Sequence, residues 1–281
     1  MGPFKKAAIG IWIVSIIAVL SACGSKNHDV EKGALSKNNE TISISGSTSV
    51  GPLAEKLASK YEKKQHVKIE INQIGSSAGI TNAINGVSEI GMSSRDVKPE
   101  EKKGGLEETI IAYDGIVVVV HPSNPVKDLT LDQIKQVFTG QIKNWKELGG
   151  EDKEIVVVSR EDGSGSRDAF QEIVGYQSGE LERNSIIASG NGNIKTTVAM
   201  NTHALGFISF EYLDDSVAPL SVNGVEPTAE NVLKHTYKLS RPFLFIHKQD
   251  KLTNAGQQFI NYILSKEGQA VVSESGAIPV K

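Results

Sequence analysis

The sequence predicts an α/β fold in which parallel strands carry helices on their faces. Short apolar runs with alternating or β-branched character occur at Thr41–Ser45, Val67–Ile71 and Glu154–Val158. Each is followed by a loop of small hydroxylated and glycine residues, and then by apolar residues at helical spacing. Repeated strand–loop–helix units of this kind build parallel sheets, and ligands of such sheets bind outside the carboxyl ends of the strands, where these loops lie. The third observation is bulk: 281 residues with 39% hydrophobic and 22% charged side chains suffice for one large or two medium globular domains.

The first unit runs from Thr41-Ile42-Ser43-Ile44-Ser45 into Gly46-Ser47-Thr48-Ser49-Val50-Gly51-Pro52, then a helix with Val50, Leu53, Leu57 and Tyr61 on one face. Helix capping accounts for one hydroxyl among Ser47, Thr48 and Ser49, not for three in a row. The second unit runs from Val67–Ile71 through Gly75-Ser76-Ser77-Ala78-Gly79 into a helix holding Ile80, Ala83, Ile84 and Val87. A short strand at Ile90–Met92 then ends in Ser93-Ser94-Arg95-Asp96, a cluster of a type common in plain loops. The run Ile110–His121 is about twice the usual strand length and is expected to cross between two lobes, with Arg241–His247 as a second crossing. Thr130–Phe138 reads as a helix, and Asn144–Gly150 as a turn around the buried aromatic Trp145.

The third unit is the centre of the chain. Ser159-Arg160-Glu161-Asp162-Gly163-Ser164-Gly165-Ser166-Arg167 connects the strand ending at Val158 to a helix with Ala169, Phe170, Ile173 and Val174 on one side. A helix N-terminus presents unpaired amides and the positive end of its dipole. Gly163 and Gly165 allow close backbone approach, Ser164 and Ser166 supply hydroxyls, and Arg160 supplies a planar, permanently charged fork suited to tetrahedral oxyanions. The plain alternative is a structural connection with a serine cap; the recurrence of such loops at other strand ends favours an anion cradle. A fourth small-residue loop, Ser189–Asn193, precedes a helix with Ile194, Thr197, Val198 and Met200. Ala204–Phe210 reads as a strand, and helices follow around Phe259–Leu264 and Gln269–Val272.

The N-terminus reads as a targeting segment. Lys5 and Lys6 precede an apolar run, Ala7–Leu20, that is shorter than the roughly 20 residues of a membrane span. It ends in Leu20-Ser21-Ala22-Cys23-Gly24, which matches a bacterial lipobox, with cleavage before Cys23 and lipid added to that residue. The alternatives are a secretory peptide with an incidental Cys and an uncleaved anchor. Cys23 is the one cysteine of the chain, so no internal disulfide forms. Residues 24–40 are polar and read as a flexible tether, which places the folded body outside the cytoplasmic membrane, anchored by lipid. The net charge of −3 becomes −5 once residues 1–22, with two lysines and no acids, are removed. That balance argues against nucleic-acid binding. The scattered histidines and lone cysteine give no metal-site spacing, and no cofactor is expected.

Taken in order, the lipobox, Gly46-Ser47-Thr48-Ser49-Val50, Gly75-Ser76-Ser77-Ala78-Gly79 and Arg160-x-Asp162-Gly163-Ser164-Gly165-Ser166 resemble the phosphate-binding component (PstS-type) of the bacterial ABC phosphate importer. The resemblance runs from Thr41 to the C-terminus. It implies a type II periplasmic-binding-protein-like fold of two hinged lobes, each a mostly parallel sheet flanked by helices, that close on one phosphate. The expected lobes are residues 41–117 plus 237–281, and 118–236. The implied phosphate ligands are Thr48 and Ser49 in the first loop, Ser77 (or Ser76) in the second, and Arg160, Ser164, Gly165 and Ser166 in the third, with Asp162 bracing Arg160 and Ser47, Ser76 and Ser94 in support. The implied partners are inorganic phosphate and the membrane permease subunits of an ABC importer, with the protein a monomer.

The chain departs from the family at one point. Relatives with the best-known pattern carry an Asp that accepts a proton from phosphate, where this chain has Arg95, with Asp96 one place later. A fixed acceptor facing sulfate, which has no proton to give, would be unpaired and repelled. Arg95 is therefore expected to contact the anion as a second cation or to form an ion pair with Glu89 or Asp96. The acceptor role falls to Asp96 or Asp162. Three other functions compete: a carrier of sulfate, molybdate or tungstate on the same fold, a secreted hydrolase using Ser164 or Ser166, and an adhesin or sensor that reuses the fold. The hydrolase needs a paired base, and none of the six histidines stands in a catalytic motif.

Overall fold

The computed structural model describes residues 40–280; the expected signal segment, Cys23 and the expected tether up to Asn39 lie outside the described residues. The first units form as their periodicity requires. Strand β1 (Glu40–Gly46) leads into α1 (Gly51–Glu62), β2 (Val67–Gln73) into α2 (Ser76–Asn85), and β3 (Ile90–Ser93) into the single turn α3 (Pro99–Lys102). Helix α1 buries Leu53, Ala54, Leu57, Ala58 and Tyr61 as one stripe, and Pro52 in its first turn costs no hydrogen bond. Helix α2 ends where Gly86 takes the left-handed conformation, φ 68°.

The middle of the chain comprises β4 (Leu106–Val120), β5 (Asp128–Leu129), α4 (Leu131–Phe138), β6 (Val156–Arg160), α5 (Gly165–Val174), β7 (Ile186–Ala188), α6 (Gly190–Ala199), β8 (Ala204–Ser209), β9 (Ala218–Pro219), β10 (Ser221–Val222) and α7 (Ala229–Leu233). The chain closes with β11 (Ser240–Lys248), α8 (Asn254–Ile263) and α9 (Lys266–Glu274). Thr130 caps α4 through its hydroxyl, and Thr253 and Ser265 do the same for α8 and α9.

Among the described residues the strands join in one hydrogen-bonded path, β2-β1-β3-β11-β4-β8-β6-β7, with β9 also on β4 and a separate β5–β10 pair. The α/β fold is as expected, but the two sheets are continuous rather than separate, and the path is mixed. Strands β1, β2 and β3 pair in parallel, as do β6, β7 and β8, while β11 and β4 are antiparallel to their neighbours. Continuity comes from β4. Its residues Leu106–Gly115 face β11, and Ile116–Val120 face β8, with Val119 and Val120 also on β9. The second expected crossing, β11, pairs with β3 and β4.

The buried side chains divide near the same place in β4. One core gathers Ile42, Leu53, Met92, Ile111, Phe245, Phe259 and their neighbours from β1–β3, α1, β11, α8 and α9. Another gathers Ile116, Val118, Phe138, Phe170, Phe207 and Leu239, with Phe170 stacked on Phe207 at 4.1 Å between ring centroids. We refer to these as the first and second halves of the fold.

At the junction Asp114 and Arg241 form an ion pair in which both side chains are 1% exposed. Arg241 donates from Nε (3.1 Å) and Nη2 (2.8 Å) to Oδ2 of Asp114, whose Oδ1 accepts from the Ser209 hydroxyl and the Phe210 amide. Burial pushes the Asp114 carboxyl upward, and the charge and hydrogen bonds of Arg241 oppose that. The pair ties β4 and β11 of the first half to the end of β8 in the second.

Candidate anion-binding site

The site lies where the first turns of α1, α2, α5 and α6 meet. Strand β6 ends at Arg160, and Glu161–Ser164 form the turn before α5, with Gly163 at φ 80° and the Ser164 hydroxyl accepting from the Arg167 amide. Gly165 and Ser166 therefore sit in the first turn of α5, whose amides have no intrahelical acceptor. Gly165 is required by space: a Cβ there would stand 2.2 Å from the Ser76 hydroxyl and 2.8 Å from that of Ser94.

Arg160 is 1% exposed and reaches across the two halves. Its Nε and Nη2 each donate at 2.8 Å to the Glu161 carboxylate, Nη2 also donates at 2.9 Å to the Thr48 hydroxyl, and Nη1 donates at 3.3 Å to Asn191 Oδ1. Burial acts to raise the Glu161 carboxyl, but the hydrogen bonds and charge of Arg160, with backbone amides, outweigh it and hold the group below the ordinary carboxylate range. The brace of Arg160 is thus Glu161, which corrects the expectation of Asp162. Asp162 occupies the apex of the turn, 93% exposed, and pairs with Arg167 at 2.6 Å. The longer Glu161 side chain folds back along the strand end instead.

A network of buried hydroxyls joins this guanidinium through Thr48 and Asn191. Ser47 Oγ accepts from the amides of Ser49 and Val50 and donates to Ser94 Oγ at 2.9 Å. Ser76 Oγ accepts from the Ser94 amide at 3.1 Å and lies 3.3 Å from Ser94 Oγ. Ser49 and Ser166 hydroxyls meet at 2.7 Å. Asn191, in the first turn of α6, donates to Ser49 Oγ at 2.9 Å, while its Oδ1 accepts from Arg160 and from the Ser209 amide. Residue spacing flagged the loop at Ser189–Asn193 but did not single out Asn191; the signal was a fourth small-residue loop at a helix start. Thr48, Ser49, Ser76, Ser94, Arg160, Gly165 and Ser166 are brought together, with Ser47 as an internal cap and the Ser164 hydroxyl spent on capping α5.

The residues at Ser77, Arg95 and Asp96 behave differently from expectation. Ser76 faces the cluster, whereas Ser77 accepts from Arg95 Nη2 at 3.1 Å and donates its amide to the Gly163 carbonyl at 3.2 Å across the two halves. Arg95 is no second cation for the anion. It is 2% exposed and its guanidinium is committed: to both Glu101 oxygens at 2.8 Å, to Asp168 Oδ2 at 3.0 Å from Nε, and to the Asp96 carbonyl. Burial raises the Glu101 carboxyl, but Arg95 and the Lys98 amide reverse the shift and hold it low. The Asp96 side chain is exposed and lines an outer cavity of about 490 Å³ beside Lys98 and Gln171. Neither Asp96 nor Asp162 faces the hydroxyl cluster, which corrects both candidates for proton acceptor.

Around this seam lie further contacts between the halves. Lys98 reaches Asp168 at 3.2 Å, the Tyr212 hydroxyl donates to the Thr48 carbonyl, and Lys56 of α1 pairs at 3.1 Å with Glu211, just past β8. Glu211 is 7% exposed on its side chain and its Oε2 has no hydrogen-bond partner. Burial raises its carboxyl to about 6, against the opposing pull of Lys56. A raised acid stabilises the fold below its unfolded value of 4.5, and that stability is lost as pH rises through about 6. Glu211→Gln is therefore expected to be more stable than the wild type above that range by roughly 1–2 kcal/mol, after allowing for the half-exposed Lys56 partner. The gap should close as the pH falls toward the ordinary Glu value. Denaturant unfolding of both proteins across this range checks it; a gap that widens in acid would contradict the burial argument.

Comparison with known proteins places this geometry. A family model for the PBP superfamily domain matches residues 33–267. A phosphate-binding protein PstS of Bacillus subtilis is 33% identical over 98% of this chain and 94% of its own length, and one of Borreliella burgdorferi is 29% identical over 99% of each. Among solved structures, a protein of Clostridium perfringens with bound phosphate, described as a candidate phosphate ABC transporter substrate-binding protein, is 61% identical with a TM-score of 0.85, covering 86% of this chain and all of that one. An ABC-type phosphate transport receptor of Vibrio cholerae is 37% identical with a TM-score of 0.75, covering 84% of this chain and 99% of its own.

Proposed function

The chain belongs to the PBP superfamily and within it to the PstS phosphate-binding proteins, and from this premise we propose that it captures inorganic phosphate outside the cytoplasmic membrane and delivers it to the permease of an ABC importer. It is a binding component and not an enzyme. The observation that carries the reading is the convergence of Arg160 with buried hydroxyls and helix first turns from both halves of the fold. Amides at helix N-termini, hydroxyl hydrogens and one guanidinium suit a tetrahedral oxyanion, which can take up to a dozen donors. Neither Ser164 nor Ser166 pairs with a histidine; their oxygens meet the Arg167 amide and the Ser49 hydroxyl. Calorimetric titration with phosphate tests the reading, which falls if the protein takes up no phosphate.

Within this proposal the two halves act as hinged lobes, residues 41–117 plus 237–281 and residues 118–236, that close on the anion. Support comes from the division of the cores near Ile116, with Ile116, Tyr237, Leu239 and Ile278 at the junction packing on the second half's core, and from the contacts that bridge the seam. Thr48, Ser49, Ser76, Arg160, Gly165 and Ser166 serve as the ligands, held by Ser47, Ser94, Ser164, Asn191 and Glu161.

The finer placement is a monomeric lipoprotein held at the outer face of the membrane through Cys23. The lipobox and the polar tether support it. Cys23→Ala is expected to release the protein into the medium or to leave it unprocessed. Fractionation reads the outcome, and a processed variant that stays in the membrane fraction contradicts the anchor.

A further inference from the structure

The carboxylates nearest the hydroxyl cluster are all occupied elsewhere. Glu161 is held by Arg160, Asp114 by Arg241, Asp168 and Glu101 by Arg95, and Glu211 by Lys56 at the rim with its Oε2 unpartnered, while Asp96 and Asp162 are exposed. Among the described residues, no carboxylate of the cluster is left to accept a proton from a bound ligand. The hydroxyls themselves are biased toward donation. Thr48 Oγ1 accepts from Arg160, Ser49 Oγ from Asn191, Ser76 Oγ from the Ser94 amide, and Ser164 Oγ from the Arg167 amide. Each thus already accepts one hydrogen bond from the protein, which occupies one of its two lone pairs and leaves its own hydrogen to turn toward a neighbouring hydroxyl or a ligand. Ser94, whose oxygen accepts from Ser47, stands between Ser47 and Ser76 and close to the Gly165 backbone.

We propose that this site selects its oxyanion by charge and not by the proton the ligand carries: it takes tetrahedral dianions, so dibasic phosphate in preference to monobasic, and admits sulfate as a competitor. The inference rests on the reading of the cluster as the phosphate site. A proton on the ligand would meet neutral hydroxyl oxygens already accepting from the protein and no free carboxylate, so it gains a weaker partner than a charged acceptor would give. Monobasic phosphate has one such proton more than dibasic phosphate, and sulfate has none. A site that held a carboxylate acceptor would reject sulfate by about 10⁴–10⁵, as sites built around a specific hydrogen bond do; this one lacks that veto.

The test is parallel calorimetric titration of the protein with phosphate and with sulfate, one pH unit below and one above the second ionisation of phosphate. The charged groups packed around the cluster are Arg160 with Glu161, Arg241 with the buried Asp114, Arg95 with Glu101 and Asp168, and Glu211 with Lys56; Asp114 is pushed up by burial and Glu211 to about 6, so Glu211 changes charge near the lower pH. Sulfate keeps its charge throughout, so its affinity reports any titration of the protein, and the phosphate-to-sulfate ratio isolates the ligand's proton. The apparent phosphate affinity is expected to rise about tenfold between the two conditions, tracking the dianion fraction. Sulfate is expected to bind within about a hundredfold of dibasic phosphate. Ser94→Asp, which places an acceptor in the cluster, should flatten the pH dependence and widen the gap to sulfate; Asp96→Asn and Asp162→Asn should leave the ratio unchanged. A phosphate affinity that is flat with pH, sulfate excluded by more than about a thousandfold, or a ratio that shifts with Asp96→Asn or Asp162→Asn overturns the inference while leaving phosphate capture standing. Failure of both anions to bind overturns both.

Discussion

Arg160→Ala is expected to weaken phosphate binding by ~2–5 kcal/mol, roughly 30- to 5,000-fold, the range for removing one partner of a buried charge interaction. The loss has three parts. The anion loses its nearest positive charge. The Thr48 hydroxyl and Asn191 carbonyl lose the donor that orients them across the halves. The Glu161 carboxylate, held low chiefly by Arg160 against burial, is left facing the anion as a like charge. Arg160→Lys should recover little, because one ammonium cannot reproduce a fork that reaches Glu161 twice and two further residues. Titration of both variants with phosphate decides; binding like wild type in both would place the site elsewhere.

The largest stability effect is expected at the junction of the halves. Asp114→Ala leaves Arg241 fully buried with no counter-charge and strips the Ser209 hydroxyl and Phe210 amide of their acceptor. Breaking a buried pair in this way costs about 3–5 kcal/mol, a large part of a typical stability of 5–15 kcal/mol. Replacing both partners, as in Asp114→Leu with Arg241→Met, should recover most of the loss, because the pair's mutual attraction mainly offsets its own desolvation. Denaturant unfolding of the single and double variants measures the difference. A single variant within about 1 kcal/mol of wild type would mean that water reaches Arg241.

Much of this was legible in the residues. The units at Thr41–Tyr61 and Val67–Asn85 and the one around Arg160 announce themselves through side-chain period and through glycine and serine punctuation, both local properties. Arg160, Thr48 and Ser49 were legible for the same reason, since their loops carry the motif. What was hidden depends on tertiary placement. Glu161 and Asp162 are neighbours with the same charge, and only the direction of the turn at Gly163 decides which one meets Arg160. Arg95 reads as an anion ligand or a partner of Glu89 or Asp96 until the turn at Pro99–Lys102 sets Glu101 on it and α5 brings Asp168 from the other half. Asn191 looks like loop filler until α6 is set beside Ser49. The run Arg241–His247 reads as a crossing between lobes, but its insertion as β11 between β3 and β4, which with β4 makes the sheet continuous, leaves no local trace. Strands β5, β9 and β10 are two residues each, too short for a period.

The contacts that close the seam are of two kinds, and the difference matters for time. Inside, the halves are joined by neutral hydrogen bonds such as Ser49 to Ser166 and Ser77 to Gly163, and by an arginine already neutralised by its neighbour. At the rim, the half-exposed Lys56 and Lys98 reach across to Glu211 and Asp168. Dissolved salt screens the rim pairs and leaves the interior untouched. With the halves acting as the hinged lobes proposed above, the dwell of a captured ion is expected to shorten with rising ionic strength, while the ranking of one anion over another holds. How long the protein keeps its cargo and which cargo it keeps are set by different residues.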